Sequence, residues 1–193
     1  SIQSVTEEIV IKMAKSIRKE TGLKNLCMAG GQALNCVANG KLLQEKIFEN
    51  IWIQPASGDA GSALGGALLA YYEFLKKERE PKPNDSMRGS LLGCSYTNKE
   101  IQDYLLKINA SFKTFEDKEL FEIIAKKLDQ GKVIGWFDGA MEFGPRALGA
   151  RSIIGDPRNK EMQSVMNLKI KFRESFRPFA PSVLEEDVNN LFE

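Results

Sequence analysis

The 193-residue chain carries 42% hydrophobic and 27% charged residues, enough apolar material for one good core or two small packed units of a soluble globular protein. Its net charge of +1 lacks the sustained basic excess of a general nucleic-acid or membrane binder, and no apolar run approaches the roughly 18–20 residues of a bilayer span. Histidine is absent, which excludes a Ser-His-Asp triad, a Cys-His pair or a His-ligated metal site built from this chain alone.

In chain order, Ser4 and Glu7 have capping-box spacing, and Ile9, Met13 and Ile17 follow at helical spacing. This first amphipathic helix ends at Thr21-Gly22 and lacks the layout of a signal peptide, so a cytoplasmic location is the default reading. Residues 25–29 read as a buried strand running into Gly30-Gly31, 32–44 as a helix, and 51–53 as a second strand. A small-residue loop at 55–61 precedes a helix over 62–77, whose Ala, Gly and Leu allow close packing on a neighbour. Charges and prolines over 79–89 mark a linker, which divides the chain into regions 1–78 and 90–193. Beyond it, strands are predicted at 90–94, 112–115 and 133–137. Helices are predicted at 97–109, with a capping box at Thr97 and Glu100, and at 118–130, with Leu120, Ile123, Ile124 and Leu128 on one face. The alternation argues for two α/β units. Cys27, Cys36 and Cys94 form no CxxC pair and read as buried small hydrophobes in a reducing compartment.

Three segments carry candidate chemistry. At Gly30-Gly31 a strand passes through paired glycines into a helix, where free N–H groups and the dipole favour phosphate. Asn35 and Asn39 lie four apart on that helix, with amides able to read a ribose or base edge; the alternative is a glycine turn needed only for packing. Asp59, between Gly58 and Gly61, is either a helix N-cap or a carboxylate for a metal or phosphate. The third segment runs from Gly135 to Pro181. Between Phe143 and Phe179 it holds eight Lys or Arg against three Asp or Glu, amid Gly, Pro and Phe. Arginine forks bind phosphate or carboxylate bidentately, so this stretch reads as an anion site. Lys169, Lys171 and Arg173 alternate with Ile170 and Phe172; as a strand, this would put the cations on one face.

The segments GGQALNCVANGKL, PASGDAGSALGGAL, GPRALGARSI and KFRESFRPFAPS, in this order, resemble the carbamoyltransferase family that includes nodulation and antibiotic-tailoring O-carbamoyltransferases. The resemblance covers nearly the whole chain. It implies an α/β fold: the second-lobe part of an actin/hexokinase-like (Kae1-like) ATPase domain, followed by part of a YrdC-like domain. It also implies a two-step reaction. Carbamoyl phosphate and ATP give carbamoyladenylate and pyrophosphate at the YrdC-like site, and the carbamoyl group then passes to a hydroxyl acceptor, such as a sugar or antibiotic, at a metal-containing Kae1-like site.

By the same resemblance Gly30, Gly31, Asn35 and Asn39 fall in the nucleotide-binding segment, and Asp59 matches a carboxylate that helps hold a divalent metal, iron in relatives. Arg146 and Arg151 match the GPRALGxRS segment, and Lys171, Arg173 and Arg177 the basic KxRExFRP segment that would hold phosphates. Glu142 would orient an arginine or touch substrate. The family's metal also takes histidines from an N-terminal region, and this chain has none. The chain is therefore expected to be an internal piece of a longer protein, inactive alone and a poor metal binder. An actin-like-fold sugar kinase, a carbamoyl-transfer protein acting on tRNA or in hydrogenase maturation, and a module that only binds nucleotide are the competing readings. No nucleic-acid or membrane partner is expected, and a homo-oligomer stays open.

Overall fold

The computed structural model describes residues 1–192, which divide into two units: Ser1–Ser95 with Gly139–Leu148, and Tyr96–Asp138 with the residues from Gly149 onward. Both mix helices with small sheets, so the α/β expectation holds.

In the first unit, α1 (Ile2–Thr21) is capped by Ser1, whose side chain accepts from the Ser4 N–H, rather than by the expected Ser4 and Glu7 box. Glu7 is instead buried and tied to Lys41 and Gln3. Gly22 closes the helix in the left-handed region, as its sequence signal suggests. The helix carries two apolar stripes, and the core selects one of them. Ala14 packs with Leu42 and Phe48, joined by Val10, whereas Ile9, Met13 and Ile17 are exposed.

Strands β1 (Asn25–Met28) and β2 (Asn50–Ile53) pair in parallel, with Leu26 opposite Ile51 and Met28 opposite Ile53. Because side chains alternate across a strand, Leu26, Met28 and Ile51 reach the core while Cys27 and Trp52 stay exposed. The expected 32–44 helix is broken. A 3-10 turn, Gly31–Leu34, stops at Asn35, whose extended backbone caps α2 (Cys36–Gln44). Helix α3 (Asp59–Leu69) starts earlier than expected and continues as a π-helical turn, Ala70–Phe74. It fully buries no residue, but Gly61 in its first turn lies against the Ala56 carbonyl, where an added Cβ has no room, so close packing of its small residues within this chain is confined to that end.

Residues 90–94 are not a strand. Ser90 and Gly89 have positive φ, which breaks the extended run, and the segment bonds irregularly to Met141 and Phe143. In the second unit, α4 (Asn98–Lys107) has the expected Thr97–Glu100 capping box, and α5 (Asp117–Asp129) half-buries Leu120, Ile123, Ile124 and Leu128. Residues 112–115 are irregular rather than a strand, since among the described residues no strand pairs with them. Strand β3 (Ile134–Phe137) pairs antiparallel with β4 (Arg151–Ile154), which sequence patterning did not indicate. Helix α6 (Met162–Val165) runs into a π-helical turn, Met166–Ile170, and α7 (Val188–Leu191) follows. All three cysteines are exposed, contrary to their expected burial; Cys27 lies on the uncovered face of its sheet.

Candidate functional site

The site residues predicted from sequence fall into both units. Gly30, Gly31, Asn35, Asn39, Asp59, Glu142 and Arg146 belong to the first; Arg151, Lys171, Arg173 and Arg177 belong to the second.

In the first unit, β1 delivers Gly30 at φ 88, a conformation suited to glycine. A Cβ at Gly30 or Gly31 would meet no atom within 4 Å, so neither glycine is there to relieve crowding. Asn35 does not lie on a helix face with Asn39. Its Oδ1 caps the Ala38 N–H at 3.2 Å, and its amide exchanges hydrogen bonds with Gln3 at 3.0 and 3.2 Å. Asn39 donates to the Ala33 carbonyl at 2.8 Å, which ties the turn to α2, while its buried Oδ1 has no partner among the described residues. Asp59 is exposed in the first turn of α3, and Gly58 occupies the N-cap position. Among the described residues no three Cys, Asp or Glu side chains gather as a metal-binding group.

The three sequence segments meet within this unit. Leu34, Pro55, Ser90, Phe143, Gly144 and Arg146 line a cavity of about 270 Å³ with largely apolar walls. Arg146 donates to the Leu34 carbonyl at 3.1 Å, linking the third segment to the first. Glu142 is buried and accepts from the Leu148 N–H at 2.7 Å, so its carboxylate shapes the Gly-Pro-Arg loop from inside. Gly144, at φ 127, lies so close to the Pro55 carbonyl that an added Cβ would sit 3.0 Å from it.

In the second unit, Arg151 opens β4 with its guanidinium 3.5 Å over the Phe137 ring, donating to the carbonyls of Asp138 and Ala150, each at 2.9 Å. A planar, delocalised cation suits this stack. The Lys169-to-Arg173 stretch is not a strand. Lys169 lies in the π-helical turn, the Lys171 N–H closes that turn onto the Met166 carbonyl at 2.9 Å, and Phe172 has φ 49. Cations and apolar residues therefore do not alternate across two faces.

Arg173 is half-buried; its Nε donates to Asn167 Oδ1 at 2.6 Å and its guanidinium lies 4.9 Å from the Phe179 ring centroid. Arg177 is paired with Glu174, Nε to Oε2 at 2.7 Å, and this arginine holds the Glu174 carboxyl below its ordinary range. Arg158 is likewise engaged, by Asp156 and Asp129, and it lowers the Asp156 carboxyl. Charge counting along the sequence thus overstates the free cations. Sequence reading passed over Ser90 and Asn167, both fully buried and both bonded to the third segment; a lone polar residue in a mixed run carries no signal of burial.

Fold and site define an α/β protein that displays glycine-rich turns, with arginines seated on carbonyls and aromatic rings. The chain belongs to the carbamoyltransferase family: residues 1–68 match the carbamoyltransferase N-terminus and residues 125–193 the carbamoyltransferase C-terminus. It is 58% identical to the uncharacterized protein sll1178 of Synechocystis, over all of this chain and 32% of that protein. It is 42% identical to nodulation protein NolO of Bradyrhizobium diazoefficiens, over all of this chain and 35% of the relative. Identity to the uncharacterized protein MJ1058 of Methanocaldococcus jannaschii is 35%, over all of this chain and 32% of that protein. The chain thus spans about a third of the length of the curated relatives it matches.

Proposed function

We propose that this chain is part of an O-carbamoyltransferase that joins a Kae1-like to a YrdC-like domain. The observation that carries this reading is the pair of family matches. The N-terminal match contains Gly30, Gly31, Asn35, Asn39 and Asp59; the C-terminal match contains Arg146, Arg151, Lys171, Arg173 and Arg177. Arginine and lysine in the latter bind the phosphates of carbamoyl phosphate and ATP and offset charge that develops as the phosphates react. The first step consumes one water: carbamoyl phosphate is hydrolysed to carbamate and inorganic phosphate, and a carbamate oxygen then attacks the α-phosphorus of ATP, giving carbamoyladenylate and releasing pyrophosphate. The carbamoyl group then passes to a hydroxyl of a sugar- or antibiotic-like acceptor.

The divalent metal of this reading, iron, does not fit the residues of this chain alone. Asp59 is one exposed carboxylate, and the described residues offer no cluster around it. A hard cation needs several more donors, which a longer polypeptide would supply.

The test uses a protein of the relatives' length that contains this sequence, incubated with ATP, carbamoyl phosphate and iron. Pyrophosphate release that depends on carbamoyl phosphate supports the reading. ADP formed without carbamoyl phosphate would make it a kinase, and binding without any product would make it a nucleotide module.

A further inference from the structure

The basic segment of the second unit is arranged around one amide. Asn167 has no exposed surface, and it directly follows the buried Met166 in the chain. Its Nδ2 donates to the carbonyls of Ser175 at 3.0 Å and Arg177 at 2.8 Å, and its Oδ1 accepts from Arg173 Nε at 2.6 Å. Its backbone carbonyl also accepts from the Arg173 N–H at 3.0 Å. A buried amide has two donor hydrogens and one acceptor oxygen to satisfy, and here every one is spent on the segment from 173 to 177. Gln163 adds a second grip, donating to the carbonyls of Phe176 and Arg177 at 3.3 and 3.2 Å.

The division of labour on Arg173 matters most. Its Nε is used by Asn167 and its plane lies over Phe179, whereas neither terminal amino group hydrogen-bonds to protein among the described residues. A guanidinium held through Nε keeps its other two nitrogens as a fork matched to two oxygens of a phosphate. Arg177 lacks that freedom, since Glu174 takes both its Nε and one terminal nitrogen.

We infer that Asn167 is a positioning residue: it holds Arg173 by Nε so that the two terminal amino groups are presented to a phosphate or acyl phosphate. This deepens the proposed carbamoyl phosphate site and rests on that reading. Asn167 itself touches no substrate. It acts through Arg173, so its removal and the removal of Arg173 should cost the same binding.

The test uses the 193-residue chain labelled with ¹⁵N, with inorganic phosphate and carbamoyl phosphate as probes. One arginine Nε–H should exchange slowly, vanish in Arg173→Lys and lose its protection in Asn167→Ala. Phosphate affinity should fall about tenfold in Asn167→Ala and in Arg173→Ala, the scale of one charge-assisted hydrogen bond, and no further in the double variant. Losses that multiply in the double variant, or an Nε–H that stays protected in Asn167→Ala, overturn the assignment. Should Asn167→Ala fail to fold, the wild-type chain decides. Phosphate must shift the terminal amino signals of Arg173 and leave its Nε–H protected; a freely exchanging Nε–H, or no phosphate binding, overturns the inference. Coupled phosphate binding without carbamoyl phosphate binding overturns the proposed function and leaves the positioning role standing.

Discussion

Ser90 and Phe143, far apart in sequence, grip each other twice: Ser90 Oγ donates to the Phe143 carbonyl at 2.5 Å, and the Phe143 N–H donates to the Ser90 carbonyl at 2.6 Å. Ser90 is 1% exposed, so water cannot replace the hydroxyl. The pair fixes the start of the Gly-Pro-Arg loop and, with it, one wall of the cavity. Ser90→Ala should cost about 1–3 kcal/mol, because a buried carbonyl loses a donor. Urea unfolding of the two proteins checks this; equal midpoints would show that the hydroxyl contributes nothing.

Gly144 stands next in that loop, at φ 127 and against the Pro55 carbonyl and Ala56 Cα. Gly144→Ala adds backbone strain to a close contact, and about 1–3 kcal/mol of lost stability is expected. The same change at Gly31, whose Cβ would meet open space, should alter stability far less. Thermal melts of both variants give the comparison, and equal shifts would contradict it.

These positions show where sequence reading stopped. Helices α1, α4 and α5 and strands β1, β2 and β3 were legible because each repeats apolar residues at its own period or carries a cap such as Thr97 with Glu100. Strand β4 was not, since it opens on an arginine and a serine and gains its identity by pairing with β3 across a loop. The Lys169–Arg173 alternation imitated a strand, but Asn167 draws residues 173–177 back over the π-helical turn. The candidate site was legible as residue types and order. Which cations are already spent, as Arg177 is on Glu174 and Arg158 on Asp156 and Asp129, depends on tertiary geometry.

Glu7 provides a pH handle on the first unit. Lys41 is the main cause that holds its carboxyl below the ordinary glutamate range, with Gln3 next. A depressed folded value means that the stabilisation is fully present above the unfolded value, about 4.3 for glutamate. It is then lost as the pH falls through the lower folded value. Stability measured by denaturant unfolding should therefore decline below about pH 4.3, and Glu7→Gln should flatten that part of the profile. An unchanged profile in Glu7→Gln would assign the acid sensitivity to other carboxylates, Asp156 first among them, since Arg158 lowers it in the same way.

The proposed chemistry makes Asp59 useful only in company. It is a single exposed carboxylate at the start of α3, in a chain without histidine and without a three-ligand cluster among the described residues. Hard divalent ions take about six oxygen or mixed ligands, so one carboxylate supplies a small part of the binding free energy. Calorimetric titration of the 193-residue chain with ferrous or manganous ion should show no saturable site, and the chain should carry out no carbamoyl transfer. In a protein of the relatives' length, Asp59→Asn should weaken metal binding while leaving pyrophosphate release from ATP and carbamoyl phosphate in place, because the two steps are proposed to occur at separate sites. Loss of both steps together would place Asp59 with the phosphates instead. Saturable metal binding by the isolated chain would show that its own residues complete the site.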